Sequence, residues 1–445
     1  MLNMFQEHRA RFLARLAAEN AAAIVPAGGL KIRNHDSEYR FRPRSDFYYL
    51  TGFREPDAVL VLVPACAEAQ SILFVNEKDR EAETWTGRRL GTAAAPAALG
   101  VQRALPLGEL WTRLSEFLPG HTRMVHGFGE DPTFDQKLLA AVGTLQQKGR
   151  AARAAPRQWV EPALWLHELR LRKDEAELDC MRRAARVTAE AHRAVMAAAR
   201  PGINEGELDG LLDYTFRRRG GTGSSYGNIV AGGAGACILH YRENDRPLVQ
   251  GELCLVDAGC EWNYYASDVT RTFPVGGRFS REQRALYELV LRAQEAAILK
   301  VRPGATHDEV HDSALAVLVD GLLALGLLSG AREKALAEHA YRRFYMHRTG
   351  HWLGLDVHDC GLYTLDGAPR PFEPGMVTTV EPGLYVAPDD ETVEARWRGI
   401  GIRIEDDVLV TPGGHEVLTR EVPKSADEVE DLTRVERTRT AAART

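Results

Sequence analysis

The sequence predicts an α/β amino-terminal domain with a mixed sheet over residues 1–170, followed by a second domain of helices and paired strands over residues 171–445. Three observations carry this reading. In the first part, short apolar runs alternate with helical stretches, the pattern of an α/β unit. Around Arg170-Leu-Arg-Lys-Asp174 the character changes to long amphipathic helices. In the second part, several apolar strand-like runs end in a carboxylate or lie beside histidines.

Taken in order, residues 6–19 form an amphipathic helix with Phe12, Leu13 and Leu16 on one side. Ala21-Ala-Ala-Ile-Val-Pro-Ala-Gly28 is a short buried strand. The aromatic run Asp46-Phe-Tyr-Tyr-Leu-Thr-Gly52 is of strand type, followed by strands at Ala58–Val63 and Ser71–Val75 and a helix at Gln136–Gln146. No P-loop and no strand–GxGxxG–helix unit occurs, so a nucleotide site has no support here. Asp174 can cap a helix that runs to about Arg200, with Leu178, Met181, Ala185 and Val187 on its apolar face and Pro201-Gly202 as its stop. A second helix spans about Asn204 to Arg219 and ends at Gly220-Gly221. The glycine-rich Ala231–Ala236 lacks the Lys-Ser/Thr of a phosphate loop and is expected to turn into a strand at Ile238-Leu-His-Tyr241. Ser280-x-x-Gln283 and Thr306-x-x-Glu309 are capping boxes opening two more helices, the first stopped by Pro303-Gly304. The second begins His307-Asp-Glu-Val-His311. Its glutamate is displaced by one position from a zinc-binding HExxH, so solvated histidines at an acid-decorated helix start are expected. Ala426–Thr445 should be a short helix and a charged, frayed tail.

A net charge of −6 and a pI near 6.2 argue against a general nucleic-acid binder, and a hydrophobic fraction of 44% supports a sizeable core. The six cysteines (Cys66, Cys180, Cys237, Cys254, Cys260, Cys360) form no CxxC pair and suit reduced thiols in a cytoplasmic protein. The start has no signal-peptide core and no later run reaches membrane-spanning length, so no membrane association is expected.

The chemistry is concentrated in Leu253–Phe273. A β-run enters Asp257, turns through Ala-Gly, and returns through the aromatics to Asp268, giving a hairpin with a carboxylate on each arm. Alone, this pair suits an exposed turn aspartate beside an ion-paired one as well as it suits two metal ligands. Three later segments favour the metal. Met346–Asp359 carries His347, His351 and His358; Glu381 closes an apolar β-run; and Gly399–Asp407 alternates so that Arg403 and Glu405 share one strand face. Two aspartates, a histidine and two glutamates supply the mostly carboxylate shell of a two-metal site, whose ions lie about 3.5–4 Å apart.

The series DAG–Asp268-Val-Thr-Arg-Thr-Phe, His351-Trp-Leu-Gly, Glu381-Pro-Gly-Leu-Tyr and Ile-Arg-Ile-Glu405 resembles the pita-bread metallopeptidases, and within them the aminopeptidase P family. The likeness extends to Ser45–Leu62, Glu83–Gly91 and Ala236–Asp245. It implies an α+β pita-bread catalytic domain built on a two-fold repeat of αββ units, and metal ligands at Asp257, Asp268, His351, Glu381 and Glu405. It also implies two divalent ions, Mn²⁺ first with Co²⁺ and Zn²⁺ as alternatives, which hold a hydroxide that attacks the peptide bond between an N-terminal residue and proline. Glu381 would shuttle its proton, with Asp268 and Glu405 bridging the metals. His240, His347 and His358 would surround the scissile bond, and Arg403 would contact carboxylates or substrate, with Tyr385 adding a hydroxyl. Arg348 departs from the small residue usual after the first histidine. Strand alternation would point it away from the proline pocket. Trp85 is expected at a subunit contact of a homo-oligomer, a dimer or tetramer. The implied partners are proline-containing peptides. A prolidase restricted to Xaa-Pro dipeptides and a non-catalytic binding module are the alternatives, and the intact ligand set disfavours the second.

Overall fold

The computed structural model describes residues 2–147 and 155–442, with side chains described as far as residue 434. The chain divides into two compact units, Met1–Arg170 and Leu171–Thr445.

The first unit is organised by a six-stranded mixed sheet, in the order Arg103–Pro106, Ser71–Val75, Val59–Leu62, Ala21–Pro26, Arg123–Val125, Gln158–Val160. The three central strands pair antiparallel and the outer neighbours pair parallel. The central strands Ser71–Val75 and Val59–Leu62 are buried along their whole length, which is why they read as continuous apolar runs. Phe12 and Leu16 of the helix Leu2–Ala18 are fully buried, as its periodicity requires. The run at 46–52 departs from expectation: Ser45–Thr51 is a helix, not a strand. Phe47, Tyr48, Tyr49 and Leu50 are all buried, so the run carries no alternation that could distinguish the two periods. Gly52, left-handed at φ 66°, closes the helix by donating its N–H to the Tyr48 carbonyl at 2.8 Å.

In the second unit, the helices Glu175–Ala198, Glu205–Arg218, Arg281–Ile298 and His307–Ala324 all open with reciprocal capping boxes: Asp174/Glu177, Asn204/Glu207, Ser280/Gln283 and Thr306/Glu309. A final helix, Ala426–Ala442, occupies most of the stretch expected to be a short helix and tail. The helices cover small antiparallel sheets. One has the order Ile229–Gly232, Leu253–Asp257, Thr270–Pro274; another Val377–Val380, Asp406–Thr411, Gly414–Val417; and Gly383–Tyr385 pairs with Gly401–Arg403. The strand expected at Ile238–Tyr241 does not form: the glycine-rich run ends a strand at Gly232 and continues as a 3₁₀ turn, Gly233–Cys237. His311 is buried and His307 half-buried, so neither is a freely solvated histidine at the helix start. His307 packs edge-on to Trp352 and Phe372, and the His311 ring lies 2.8 Å from the Thr349 hydroxyl.

Candidate metal centre

The aspartate segment is more elaborate than one hairpin. Leu253–Asp257 pairs with Thr270–Pro274, setting Asp257 opposite Thr270. Between them, Cys260–Trp262 and Tyr265–Ala266 form a second hairpin, paired to Gly223–Ser224, that turns at Asn263-Tyr264 rather than at Ala-Gly. Both turn residues have positive φ, 49° and 66°, the geometry of a tight hairpin turn. Gly259 is required by close approach: a Cβ there would lie 1.6 Å from the Ser267 carbonyl oxygen. This crossing returns Asp268 to the side of Asp257. The Tyr226 hydroxyl lies 2.6 Å from an Asp257 oxygen and also hydrogen-bonds Asp268.

Glu381 directly follows the buried strand Val377–Val380. His351 is fixed against the same strand, its N–H donating to the Thr379 hydroxyl at 3.1 Å and its carbonyl accepting from the Thr379 N–H at 2.9 Å. Gly350 permits this, since a Cβ would meet the Thr379 carbonyl at 2.0 Å. The Glu405 N–H donates to the Thr270 carbonyl at 3.1 Å, and the Thr270 hydroxyl donates to Glu405 Oε2 at 2.6 Å. The aspartate sheet and the Arg403–Glu405 segment therefore meet edge to edge.

Ligating atoms of Asp268, His351 and Glu405 all lie within 4.8 Å of one another. His351 Nε2 is 3.4 Å from Asp268 Oδ2 and 3.7 Å from Glu381 Oε1. All five expected ligands line one cavity of about 1020 Å³, and so do His240, His347, His358 and Arg403. The His351 and His358 rings meet edge to face at 4.3 Å. The Arg403 guanidinium is committed, 2.5 Å from Asp257 Oδ2, 3.1 Å from the Thr270 hydroxyl and 3.1 Å from the Tyr385 hydroxyl. Tyr385 in turn is 2.9 Å from His347 Nε2. This chain of contacts joins the aspartates to the histidine side of the cavity. Arg348 does not point away: residues 347–350 have no strand conformation, so alternation does not apply, and Arg348 stands on the cavity wall in an ion pair with Asp308.

The protein's own charges leave the carboxylates unbalanced. Burial, reinforced by Asp268, Glu381 and Asp257, drives Glu405 well above the carboxylate range. Burial and the two aspartates raise Glu381 to about 7, against the opposing pull of His351 and Arg403. Asp257 is raised by burial and Asp268 despite Arg403. Burial lowers the His351 ring, but Asp268 and Glu381 outweigh it and bring the ring up to about 9. Buried anions in this state require cations. Four carboxylates and one imidazole form the oxygen-rich donor set that hard or borderline dications take. The residues present therefore fit a pair of divalent metals.

Sequence reasoning missed Tyr226, Thr270 and Asp407. Tyr226 lies in Ser224-Ser-Tyr-Gly-Asn228 and has no periodic neighbour that would mark it. Asp407 accepts from the Ser267 hydroxyl at 2.8 Å and from the Asp268 N–H at 3.1 Å, so it holds the backbone of Asp268 from behind. The acidic triplet Glu405-Asp-Asp407 was the one signal for it.

Residues 179–412 match the model of metallopeptidase family M24, and residues 5–126 match that of the aminopeptidase P N-terminal domain. The chain belongs to metallopeptidase family M24. The Xaa-Pro aminopeptidase of Escherichia coli (strain K12) is 44% identical over 429 residues, covering 96% of this chain and 97% of that protein. The solved structure of Pseudomonas aeruginosa aminopeptidase PepP superposes with a TM-score of 0.95 at 46% identity, covering 98% of this chain and 99% of that one. Zinc-substituted Escherichia coli aminopeptidase P in complex with product gives 0.93 at 43% identity, again over 98% and 99% of the two chains. The second unit thus has the pita-bread fold of the M24 family, and a divalent metal is its cofactor.

Proposed function

We propose that this chain is a metal-dependent Xaa-Pro aminopeptidase, releasing the N-terminal residue from peptides whose second residue is proline. One observation carries the reading: Asp257, Asp268, His351, Glu381 and Glu405 converge on a single cavity that His240, His347, His358 and Arg403 also line. The likeness to Xaa-Pro aminopeptidases over nearly the whole chain supports it. Those five residues would hold two divalent ions, which when bound supply a water of lowered pKa and a Lewis acid for the scissile carbonyl. The chain's own groups do the remaining work. Glu381, with Oε1 turned to His351 and Oε2 3.9 Å from His347, is placed to carry a proton to the leaving proline nitrogen. His240 and His358, both exposed to the cavity, can donate to the carbonyl oxygen as charge develops on it. Arg403 holds Asp257 and, through Tyr385, fixes His347 at the wall.

Mn²⁺ is the metal we assign, because oxygen donors dominate the shell; Co²⁺ and Zn²⁺ suit the same set. The domains are taken as residues 1–170 and 171–445. The free thiols of Cys66, Cys180, Cys237, Cys254 and Cys260 support a reducing, cytoplasmic setting, and no helix among the described residues is long and apolar enough to cross a membrane. Trp85 is 84% exposed on Arg80–Thr86, a helix with no buried residue, which supports association with further copies of the chain. The deciding experiment compares kcat/KM for Ala-Pro-Ala, Ala-Pro and Ala-Ala-Ala with Mn²⁺ present. The expected order places Ala-Pro-Ala first. A clear preference for Ala-Pro would make the enzyme a prolidase, and cleavage of Ala-Ala-Ala at the same rate would remove the proline specificity.

A further inference from the structure

We propose that Arg348 receives the terminal carboxylate of short Xaa-Pro-Xaa substrates, making the enzyme selective for tripeptides with a free C-terminus. The inference rests on the aminopeptidase reading and adds a specificity-determining residue to it. Its first support is chemical. A short peptide carries an ammonium at one end and a carboxylate at the other. The carboxylate cluster of Asp257, Asp268, Glu381 and Glu405 fits the first end and its metals. An arginine on the same wall repels an ammonium and attracts a carboxylate, so it marks the direction of the C-terminus.

The second support is geometric. Arg348 follows His347 directly and stands on the cavity wall with its guanidinium engaged by Asp308, the second residue of the helix His307–Ala324. Only Nη2 is used: among the described residues, the side chain's one hydrogen bond runs from Nη2 to Asp308 Oδ1. Nε and Nη1 take no partner among the described residues, and Nη2 keeps its second hydrogen, so the fork retains a two-donor edge that can bind a carboxylate in parallel bonds. Asp308 therefore orients the group without saturating it. The backbone beneath is anchored, because the next residue, Thr349, is buried and its hydroxyl sits between His311 Nδ1 at 2.8 Å and the Tyr345 hydroxyl at 2.6 Å. The other wall arginines are less suited. Arg403 is buried and committed to Asp257, Thr270 and Tyr385, whereas Arg242 is exposed on a segment without regular structure and has no acidic group orienting its guanidinium among the described residues. The size agrees: taken as a sphere, 1020 Å³ is roughly 12 Å across, and three extended residues span roughly 10 Å.

The test compares kcat/KM for Ala-Pro-Ala with a free carboxylate and for the same peptide as its C-terminal amide, using the Mn²⁺-loaded enzyme. The wild type should prefer the acid about tenfold, the scale of one charge-assisted pair partly open to solvent. Arg348→Ala should bring the ratio close to one, chiefly through KM for the acid, and raising the salt should erode the wild-type ratio. Arg242→Ala should keep the preference. A wild-type ratio near one, a ratio that Arg348→Ala does not alter, or a loss seen in Arg242→Ala instead would each overturn the assignment. If the wild type cleaves neither peptide, the aminopeptidase reading falls and this inference with it. If it cleaves both with a ratio insensitive to Arg348, only this inference falls.

Discussion

Removing the metal should make the protein lose stability as pH rises through neutrality, the reverse of ordinary acid denaturation. Glu381 is raised from its usual 4.5 to about 7 by burial and by Asp268 and Asp257, with its side chain only 18% exposed. A carboxyl whose folded pKa exceeds its unfolded one contributes stability that is fully present below the unfolded value and lost as pH passes the folded value. The window for Glu381 is thus from pH 4.5 to about 7. At 1.36 kcal/mol per pH unit, the loss across it is roughly 3 kcal/mol. His351 moves the same way. Held at about 9 by Asp268 and Glu381, it contributes stability present below 6.5 and lost through 9. The two groups pair with each other at 3.7 Å, so their contributions overlap rather than add.

The assay is the midpoint of thermal unfolding from pH 5 to 8.5, on protein stripped with a chelator and on the same protein reloaded with Mn²⁺. With roughly 2 °C of midpoint per kcal/mol for a large domain, the stripped protein should lose about 6 °C over this range. The reloaded protein should hold its midpoint at the alkaline end, since bound dications neutralise the carboxylates and stabilise only the folded state. Stripped Glu381→Gln should show a shallower slope, because it has no proton to release. A flat or rising midpoint in the stripped wild type, or an unaltered slope in Glu381→Gln, would refute the reasoning.

Three further outcomes are expected. Chelation should abolish hydrolysis of Ala-Pro-Ala, and Mn²⁺ or Co²⁺ should restore it; full turnover in protein shown free of metal by elemental analysis would contradict the site. Glu381→Gln and Asp268→Asn should each lower kcat at least about 10²-fold with the fold intact by circular dichroism, on the scale of acid–base and charge contributions. Asp406→Asn should cost about 3–5 kcal/mol in denaturant unfolding, because it leaves Arg271 buried beside a neutral partner. Burial would raise Asp406, but Arg271 and Lys424 outweigh it and hold it to about 2, so that contribution is present above pH 3.8 and lost as pH falls toward 2.

What the sequence disclosed and what it hid separate by range. Helix caps are chemistry among neighbours, and the capping boxes at Ser280 and Thr306 formed as read. The acid at Glu381 was visible because it directly follows a buried strand. Where the deciding interaction is distant, no local pattern points to it. Phe47–Leu50 is buried on every side, which erases the period that would identify a helix. His307 is enclosed by Trp352 and Phe372, from segments more than forty residues away, so nothing near it in sequence announces burial. Tyr226 reaches two aspartates thirty-one and forty-two positions on.

The buried pair of Arg271 and Asp406 shows how the fold and the site depend on each other. Arg271 is fully buried and donates to the carbonyls of Thr270, Glu405, Val422 and Pro423 as well as to Asp406. Two of those carbonyls belong to residues of the metal cluster, Glu405 itself and Thr270, whose hydroxyl holds it. Asp406 also accepts from the Thr419 hydroxyl, the Gln294 amide and the Lys424 ammonium, so no lone pair is left to compete for a metal. Asp407, on the opposite side of the same backbone, secures the Asp268 N–H. In Glu405-Asp-Asp407, therefore, the first acid faces the cavity while the other two fix the strands that aim it. Alternation explains the placement of each: Asp406 leaves on the face opposite Glu405 and fixes the strand through Arg271, whereas Asp407 returns to the Glu405 side and anchors the backbone of Asp268. Removing the anchor should then weaken metal binding as well as the fold, a coupling that a titration of Mn²⁺ into folded Asp407→Asn would show as a raised Kd.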